Sequence, residues 1–384
     1  MKNINVIVVG PSATVRGGIS TLIANIKDKC TDNITYHTVA THTDTKGSDE
    51  SQVERRRLYA QARVYFVALL QVLIAIPRYR NKVFHVHLSQ EGSTLRKGLI
   101  CVLLRIFRCR YLIHTHAAED KLFHPWVSGR LRSLILWGFR GCRYCLALTP
   151  LWADYYADRL SLYRDQVLIM PNPADIPATV PDRSGRDKLK LLFLGRLGER
   201  KGVFDLIRAF AALPDEIRHN CQLTLAGDGE VQAACAIASL TGCKGQVTIT
   251  GWIDRIEVTR LLAKSDALVL PSYAEGMSLS VLEAMAWGLP VVTTRSGGST
   301  SYLENHRNCL LVEPGDVAAI TEAIQLLYEK EETRLALGRE ARQTAEFLSI
   351  DRYVERLSLI YRDAAGRAPS QTSGLAKQQH NLAD

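Results

Sequence analysis

The residues best suited to chemistry are two cations, Arg196 and Lys201, in the loop Gly195-Arg196-Leu197-Gly198-Glu199-Arg200-Lys201-Gly202. This loop links an apolar run, Leu189 to Leu194, to a segment with helical periodicity. Arg196 offers a fork of N–H donors that matches phosphate oxygens, and Lys201 supplies a compact positive charge. Near a helix N-terminus both would add to a dipole that favours an anion. Read alone, the loop is explained equally well as a solvated basic turn. A second glycine-rich loop, Gly10 to Gly18, also follows a strand and opens a helix. Its Gly17-Gly18 either lets backbone amides approach an anion or makes a plain tight turn. It is not a GxGxxG, so nicotinamide binding is poorly supported.

Two carboxylates, Glu275 and Glu283, are separated by seven intervening residues in Pro271-Ser-Tyr-Ala-Glu275-Gly-Met-Ser-Leu-Ser-Val-Leu-Glu283. The strand Ala267–Leu270 ends just before, so Glu275 falls in the loop at its carboxyl end. A helix beginning near Ser280 puts Glu283 on the first turn. Ser280-Val-Leu-Glu283 also matches a capping box, in which the glutamate reaches back to a backbone N–H. His114-Thr115-His116 ends a strand of the first half, and His85 and His87 end another.

The elements that position these residues repeat one grammar. Short β-branched runs alternate with helix-period segments, which implies parallel strands joined by crossover helices. Six such strands start at Val6, Thr35, Val83, Tyr111, Tyr144 and Val167. Pro171-Asn-Pro173, Pro177, Pro181 and Asp182–Asp187 then read as a linker. Six more strands start at Leu189, Leu223, Val247, Ala267, Pro290 and Cys309. The expected domains are 1–178 and 188–350, with a C-terminal helix at 351–366 crossing back to the first domain and a disordered tail at 367–384. Ligands of open parallel sheets bind beyond the carboxyl ends of the strands, so two such sheets predict a cleft between domains.

Composition excludes several classes. A chain of 384 residues with 47% hydrophobic and 23% charged residues is globular, not disordered or fibrous. The start runs directly into a strand, with no signal core. The longest apolar run, Val64 to Ile76, falls short of the roughly 20 residues that span a bilayer, and predicts a buried or interfacial helix in a soluble, cytoplasmic protein. Nine scattered cysteines with a single close pair, Cys142 and Cys145, fit reduced thiols better than a zinc site. The net charge of +9 is concentrated between Ser51 and Cys145, where 17 Lys and Arg face 4 Asp and Glu. Such a field attracts polyanions or an anionic membrane face. No nucleic-acid motif accompanies it, so nucleic acid is not an expected partner.

Taken together, Gly17-Gly18, His116, Gly195-Arg196 with Lys201-Gly202, Ala226-Gly-Asp-Gly-Glu230 and the Glu275/Glu283 pair resemble glycosyltransferase family 4 over nearly the whole chain. The last three, in this order and spacing, form the specific signature. The resemblance implies an α/β chain of GT-B fold, with two Rossmann-like doubly wound domains facing an interdomain cleft, and a retaining transferase. It assigns Glu283 to the nucleotide ribose, Arg196 and Lys201 to the diphosphate, and Gly17, Gly18, Gly276, Met277, Ser278 and Leu279 to the donor. Glu275 and His116 become the catalytic candidates beside the transferred sugar. Such enzymes need no cofactor, and no metal site is expected: the chain contains no Asp-x-Asp, and fixed cations with helix N-termini can stabilise the leaving diphosphate. Retaining glycosidases set two carboxylates about 5 Å apart, one as nucleophile. With Glu283 on ribose that pair is missing, which points to front-side substitution. After Gly297-Gly298 the family's Pro-Glu is replaced by Ser-Thr-Ser-Tyr-Leu-Glu304, and its Asn-Gly by Asn308-Cys309, departures that bear on donor-sugar identity.

The acceptor belongs in the first half, where the basic excess lies. Gly92-Ser-Thr-Leu-Arg-Lys-Gly98 is similar to members that build bacterial exopolysaccharide or lipopolysaccharide on lipid-diphosphate-linked acceptors. The expected partners are thus a nucleotide-diphosphate sugar, a lipid-linked or saccharide acceptor, and an anionic membrane surface touched through Arg55–Arg110, with peripheral placement at the inner face of the plasma membrane. His85 and His87 are candidate acceptor-side groups. The rival readings are another GT-B nucleotide-sugar enzyme (an epimerase or phosphorylase) and an inactive scaffold subunit.

Overall fold

The computed structural model describes residues 3–12, 14–15, 17–29, 33–42, 52–116, 122–123, 127–296, 298 and 301–366, with backbone alone at 52–58. The expected tail at 367–384, part of the segment after Gly298 and the side chains of Arg55, Arg56 and Arg57 lie outside the described residues. The chain divides into two compact units, 1–171 with 350–384, and 172–349.

The first unit holds six parallel strands: β1 (Ile4–Gly10), β2 (Ile34–Ala40), β3 (Lys82–Leu88), β4 (Tyr111–Thr115), β5 (Tyr144–Ala147) and β6 (Val167–Ile169), ordered β2-β1-β3-β4-β5-β6. Near-continuous apolar strands of this kind are buried on both faces by crossover helices. The helices of this unit are α1 (Gly18–Asp28), α2 (Gln52–Arg78), α3 (Gly92–Ile106), α4 (Gly129–Arg140) and α5 (Pro150–Arg159). The last helix of the chain, α13 (Ile350–Ala364), also packs here. Its Tyr353, Leu357, Ile360 and Tyr361 join Leu22, Ile23 and Ile26 of α1 over Val6, Val8, Val83 and Leu112. Burying one apolar side chain of this size stabilises by roughly 1.5–3 kcal/mol, so the stripe of α13 is a substantial part of this core. Asp363 fixes its end, accepting from Arg143 Nε at 3.1 Å and Tyr144 Oη at 2.7 Å.

Helix α2 differs from the sequence expectation. It runs 27 residues, and Pro77 sits inside its last turn instead of ending it earlier. Its window Tyr59–Arg78 is long and apolar enough to cross a membrane by length and composition. It is not a buried helix: Ala68, Val72 and Ala75 face the protein, while Phe66, Val67, Leu70, Leu73 and Ile74 are exposed.

The second unit repeats the plan with β7 (Leu189–Leu194), β8 (Cys221–Ala226), β9 (Val247–Gly251), β10 (Ala267–Leu270), β11 (Val291–Thr294) and β12 (Leu310–Val312), ordered β12-β11-β10-β7-β8-β9. Its helices are α6 (Val203–Ala211), α7 (Asp215–His219), α8 (Val231–Leu240), α9 (Arg255–Lys264), α10 (Leu279–Ala286), α11 (Val317–Glu329) and α12 (Glu331–Phe347). The Pro-rich stretch is not a free tether. Arg183 donates to the carbonyls of Ser265 (2.8 Å) and Leu262 (3.1 Å), and Arg342 Nη2 donates to Pro177 O at 2.9 Å. Both contacts lie within the second unit.

Candidate functional site

The strand order of the second sheet reverses between β7 and β10, the point where open α/β sheets bind ligands. The β7 loop carries Arg196 and Lys201; the β10 loop carries Glu275. The structure brings two of these three together. Lys201 Nζ donates to Glu275 Oε1, with the two side chains only 17% and 9% exposed. Ser272 Oγ donates to the same carboxylate oxygen at 2.7 Å. The loops are laced by their backbones as well: Tyr273 N donates to Arg200 O at 2.9 Å, and Arg200 Nη1 to Ala274 O at 3.0 Å. Gly202, at φ +68°, is required here, because a Cβ would lie 2.0 Å from the Pro271 carbonyl oxygen.

Arg196 is exposed, but its backbone is pinned. Gly195 N donates to Ala226 O (3.0 Å), Leu197 N to Asp228 O (2.6 Å) and Glu230 N to Leu197 O (2.9 Å). A Cβ at Gly227 would meet Gly195 O at 1.8 Å. The Ala226-Gly-Asp-Gly-Glu230 motif therefore works as a brace that holds the cationic loop against its neighbour.

Beyond Glu275 the chain enters α10. Ser278 is its N-cap, and no side chain caps the helix. The free N–H groups of such an end favour an anion. The approach to this end is anchored at Met277, whose carbonyl accepts from Asn172 Nδ2 at 2.8 Å and whose sulfur accepts from Asn172 N at 3.2 Å. Gly276, Met277, Ser278 and Leu279 thus form one held turn leading into the helix.

Glu283 lies in the second turn of α10, since the helix starts one residue before Ser280. The capping box is not formed: the N-cap is Ser278. Glu283 instead accepts from Arg255 Nη1 at 2.5 Å. Burial raises its pKa above the ordinary carboxylate value, and Arg255 works against that shift. Arg255 also faces Asp175 at 3.7 Å. Sequence reasoning missed Arg255; its only local signal is the Asp254 cap at the start of α9. Among the described residues no hydrogen bond or ion pair joins Glu283 to Glu275, Arg196 or Lys201.

In the first unit His85 and His87 of β3 and His114 and His116 at the end of β4 form a ladder. The register pairs His87 with His114. Because side chains alternate along a strand, residues two apart share a face, and all four rings stack together. His116 Nε2 pairs with His87 Nδ1 at 2.9 Å, His85 Nε2 with His114 Nδ1 at 3.2 Å, and His85 Nδ1 with Tyr361 Oη at 2.6 Å. Burial holds His85 and His116 down to about 3, and His87 and His114 well below the usual imidazole value. His116 is therefore neutral at pH 7, able to give or accept a hydrogen bond but carrying no charge. His85, His87 and His114 place ring nitrogens within 4.8 Å of one another, a grouping that admits a metal ion, though both nitrogens of His85 are already engaged. Gly17 begins α1 without a side-chain cap, and with Gly18 it lines a cavity of about 240 Å³ in this unit.

Two six-stranded parallel sheets, each wrapped by helices, define the GT-B class of glycosyltransferase fold. HepE of Anabaena, solved in complex with UDP and with UDP-glucose, shares it: in the UDP complex the TM-score is 0.70 at 16% identity, covering 93% of this chain and 98% of that one. Residues 181–344 match the model for glycosyl transferases group 1. The lipopolysaccharide core biosynthesis glycosyltransferase LpsE of Rhizobium meliloti is 31% identical over 217 residues, 49% of this chain and 62% of its own length. The lipopolysaccharide glucosyltransferase WaaG of Escherichia coli is 32% identical over 158 residues, 41% of each chain. The match thus spans about two fifths to three fifths of these two relatives.

Proposed function

We propose that the protein is a retaining glycosyltransferase that moves a sugar from a nucleotide diphosphate onto an acceptor carried on a lipid diphosphate. The observation that carries this reading is the Lys201–Glu275 pair at the strand-order reversal of the second sheet. Cleaving a sugar–phosphate bond builds negative charge on the departing diphosphate and positive charge on the sugar. Arg196, Lys201 and the uncapped start of α10 supply fixed positive potential for the first, without a metal ion. Glu275, held by both Lys201 and Ser272, is a positioned carboxylate beside the sugar. Glu283, kept in place by Arg255, would accept from the ribose hydroxyls, and neutral His116 would hydrogen-bond the transferred sugar.

In the proposed step the bond from the anomeric carbon to the diphosphate oxygen breaks as the acceptor oxygen bonds to the same face of that carbon. The acceptor proton passes to the departing phosphate oxygen. Glu275 is a weak nucleophile here because its charge is taken up by Lys201 and Ser272. A covalent glycosyl adduct trapped on Glu275 would overturn this step.

The names of the relatives, which act in lipopolysaccharide synthesis, and the UDP and UDP-glucose complexes of HepE support a nucleotide-sugar donor and a surface-glycan acceptor. The exposed apolar face of α2, set in the basic part of the chain, supports peripheral docking on an anionic bilayer. The helix does not span. It connects β2 and β3, which lie in one sheet on either side of β1, and a single crossing would part them. The test of the donor assignment is thermal stabilisation across UDP, GDP, ADP and their sugars, because binding to the folded state raises its melting point. At least one should stabilise the parent chain, and Lys201→Ala should erase that shift. A panel that leaves the parent melting point unmoved would contradict the assignment.

A further inference from the structure

The first unit contains a buried cation for which the donor chemistry gives no use. Lys97, in the second turn of α3, is 1% exposed. Its Nζ donates to Ser93 Oγ at 2.9 Å, and no carboxylate among the described residues pairs with it. Arg96 beside it folds back over Gly92, where an added Cβ would lie 3.2 Å from Nη1. The Arg96 Nε is buried and has no hydrogen-bond partner among the described residues. Both cations line the cavity of about 240 Å³, together with Ser89, Ser93, Gly17 and Gly18. At ~30 Å³ per water, this is room for a phosphate-sized group with some of its hydration.

A buried lysine beside a half-buried arginine, with no counter-ion among the described residues, is costly, and proteins ordinarily pair such charges or neutralise them. Burial and the neighbouring Arg96 push Lys97 down to about 7. The starts of α1 and α3 face the same cavity, and neither is capped by a side chain. Lys97 also acts electrostatically on His87 and His116, so the cavity adjoins the histidine ladder. The lining holds two cations and several hydroxyls, and no Asp or Glu among the described residues.

We propose that Arg96, Lys97 and Ser93, with the amide ends of α1 and α3, form a phosphoryl-binding subsite of the first unit that holds the phosphate of the acceptor. The inference rests on the reading of this unit as the acceptor half, and it gives the Gly92-Ser-Thr-Leu-Arg-Lys-Gly98 segment a function. The same phosphoryl chemistry could come from the donor diphosphate, and the experiment separates the two sources.

The full chain is titrated with inorganic pyrophosphate by calorimetry, alone and with saturating nucleoside diphosphate (whichever of UDP, GDP or ADP stabilises the parent). Pyrophosphate should bind in both conditions and should still bind Lys201→Ala. Lys97→Met should lose at least tenfold in pyrophosphate affinity. It should also melt above the parent when unliganded, because it removes an uncompensated buried charge; this shows that the lost binding is not unfolding. Arg96→Gln, a milder change, should weaken pyrophosphate to a smaller extent. The proposal is overturned if Lys97→Met binds pyrophosphate as the parent does, if it melts below the parent, or if saturating nucleotide abolishes pyrophosphate binding, which would give the cavity to the donor. Failure of every nucleotide to stabilise the parent would count against the donor reading of the second unit alone, since pyrophosphate binding to the first unit would still be measurable.

Discussion

Replacing Lys201 by Ala should have two effects of different origin, and their separation tests the reasoning about the second unit. The ion pair with Glu275 is largely withdrawn from water. Removing one partner of such a pair leaves an uncompensated carboxylate, at a cost of about 3 kcal/mol or more. For a unit of this size each kcal/mol moves the melting point by about 2–4 °C, so Lys201→Ala should melt about 6–12 °C lower. Lys201→Met/Glu275→Gln, which removes both charges while keeping volume, should recover most of that loss. Turnover should follow a different course. Loss of one fixed donor to the departing diphosphate costs about 10²–10³ in rate, and the double variant should not regain it. Differential scanning calorimetry and release of free nucleotide from the nucleotide sugar report the two quantities. If Lys201→Ala melts like the parent, or if the double variant regains turnover, the pair is not what holds the loops and the leaving group.

Four further outcomes are expected. Arg255→Ala should shift the acidic limb of nucleotide binding to higher pH: burial already raises the Glu283 pKa, and Arg255 is the group that opposes it; an unshifted limb in a pH-resolved titration would separate Glu283 from the nucleotide. For His85 the folded-state value, about 3, lies below the unfolded value near 6.5, so its contribution to stability is complete above pH 6.5 and is lost as pH falls through that window. At pH 5 the loss is about 2 kcal/mol for His85 alone, measurable by urea unfolding at pH 7.5 and 5, and His85→Gln should flatten the slope. Phe66→Ser/Leu70→Ser on α2 should abolish sedimentation with anionic vesicles at low salt while leaving the melting point within about 2 °C, because both side chains face outward; retained sedimentation would remove α2 from the membrane account. Dialysis against EDTA should leave transfer unchanged, whereas loss restored by a divalent ion would show that the fixed cations are insufficient.

The fold was legible because the inner parallel strands, buried on both faces, are continuous apolar runs, while the edge strands β2 and β9 are part-exposed runs still rich in β-branched residues. All twelve strands lie where those runs stand, with ends shifted by a residue or two, as for Cys221–Ala226 against a run starting at Leu223. What escaped depends on long-range register. Glu283 and Arg255 are 28 residues apart on different helices, and nothing in their spacing announces their bond. The local capping-box pattern at Ser280 pointed elsewhere and lost, because the helix begins at Leu279 with Ser278 as its N-cap. The histidine ladder needs the β3–β4 register, which places His87 beside His114. Helix α2 runs one residue past Pro77, so the proline falls in its last turn, where it gives up the bond to the carbonyl four residues before it. Its exposed apolar face is a tertiary property, read from which side packs on the sheet.

The most direct test is a crystal structure of the protein with an intact nucleotide sugar or its non-transferable analogue. The diphosphate oxygens should lie within hydrogen-bonding distance of Lys201 Nζ, the Arg196 guanidinium and the first amides of α10, with the ribose hydroxyls on Glu283 and no metal bridging the phosphates. A diphosphate bound through a divalent ion, or seated away from the β7 and β10 loops, would contradict it.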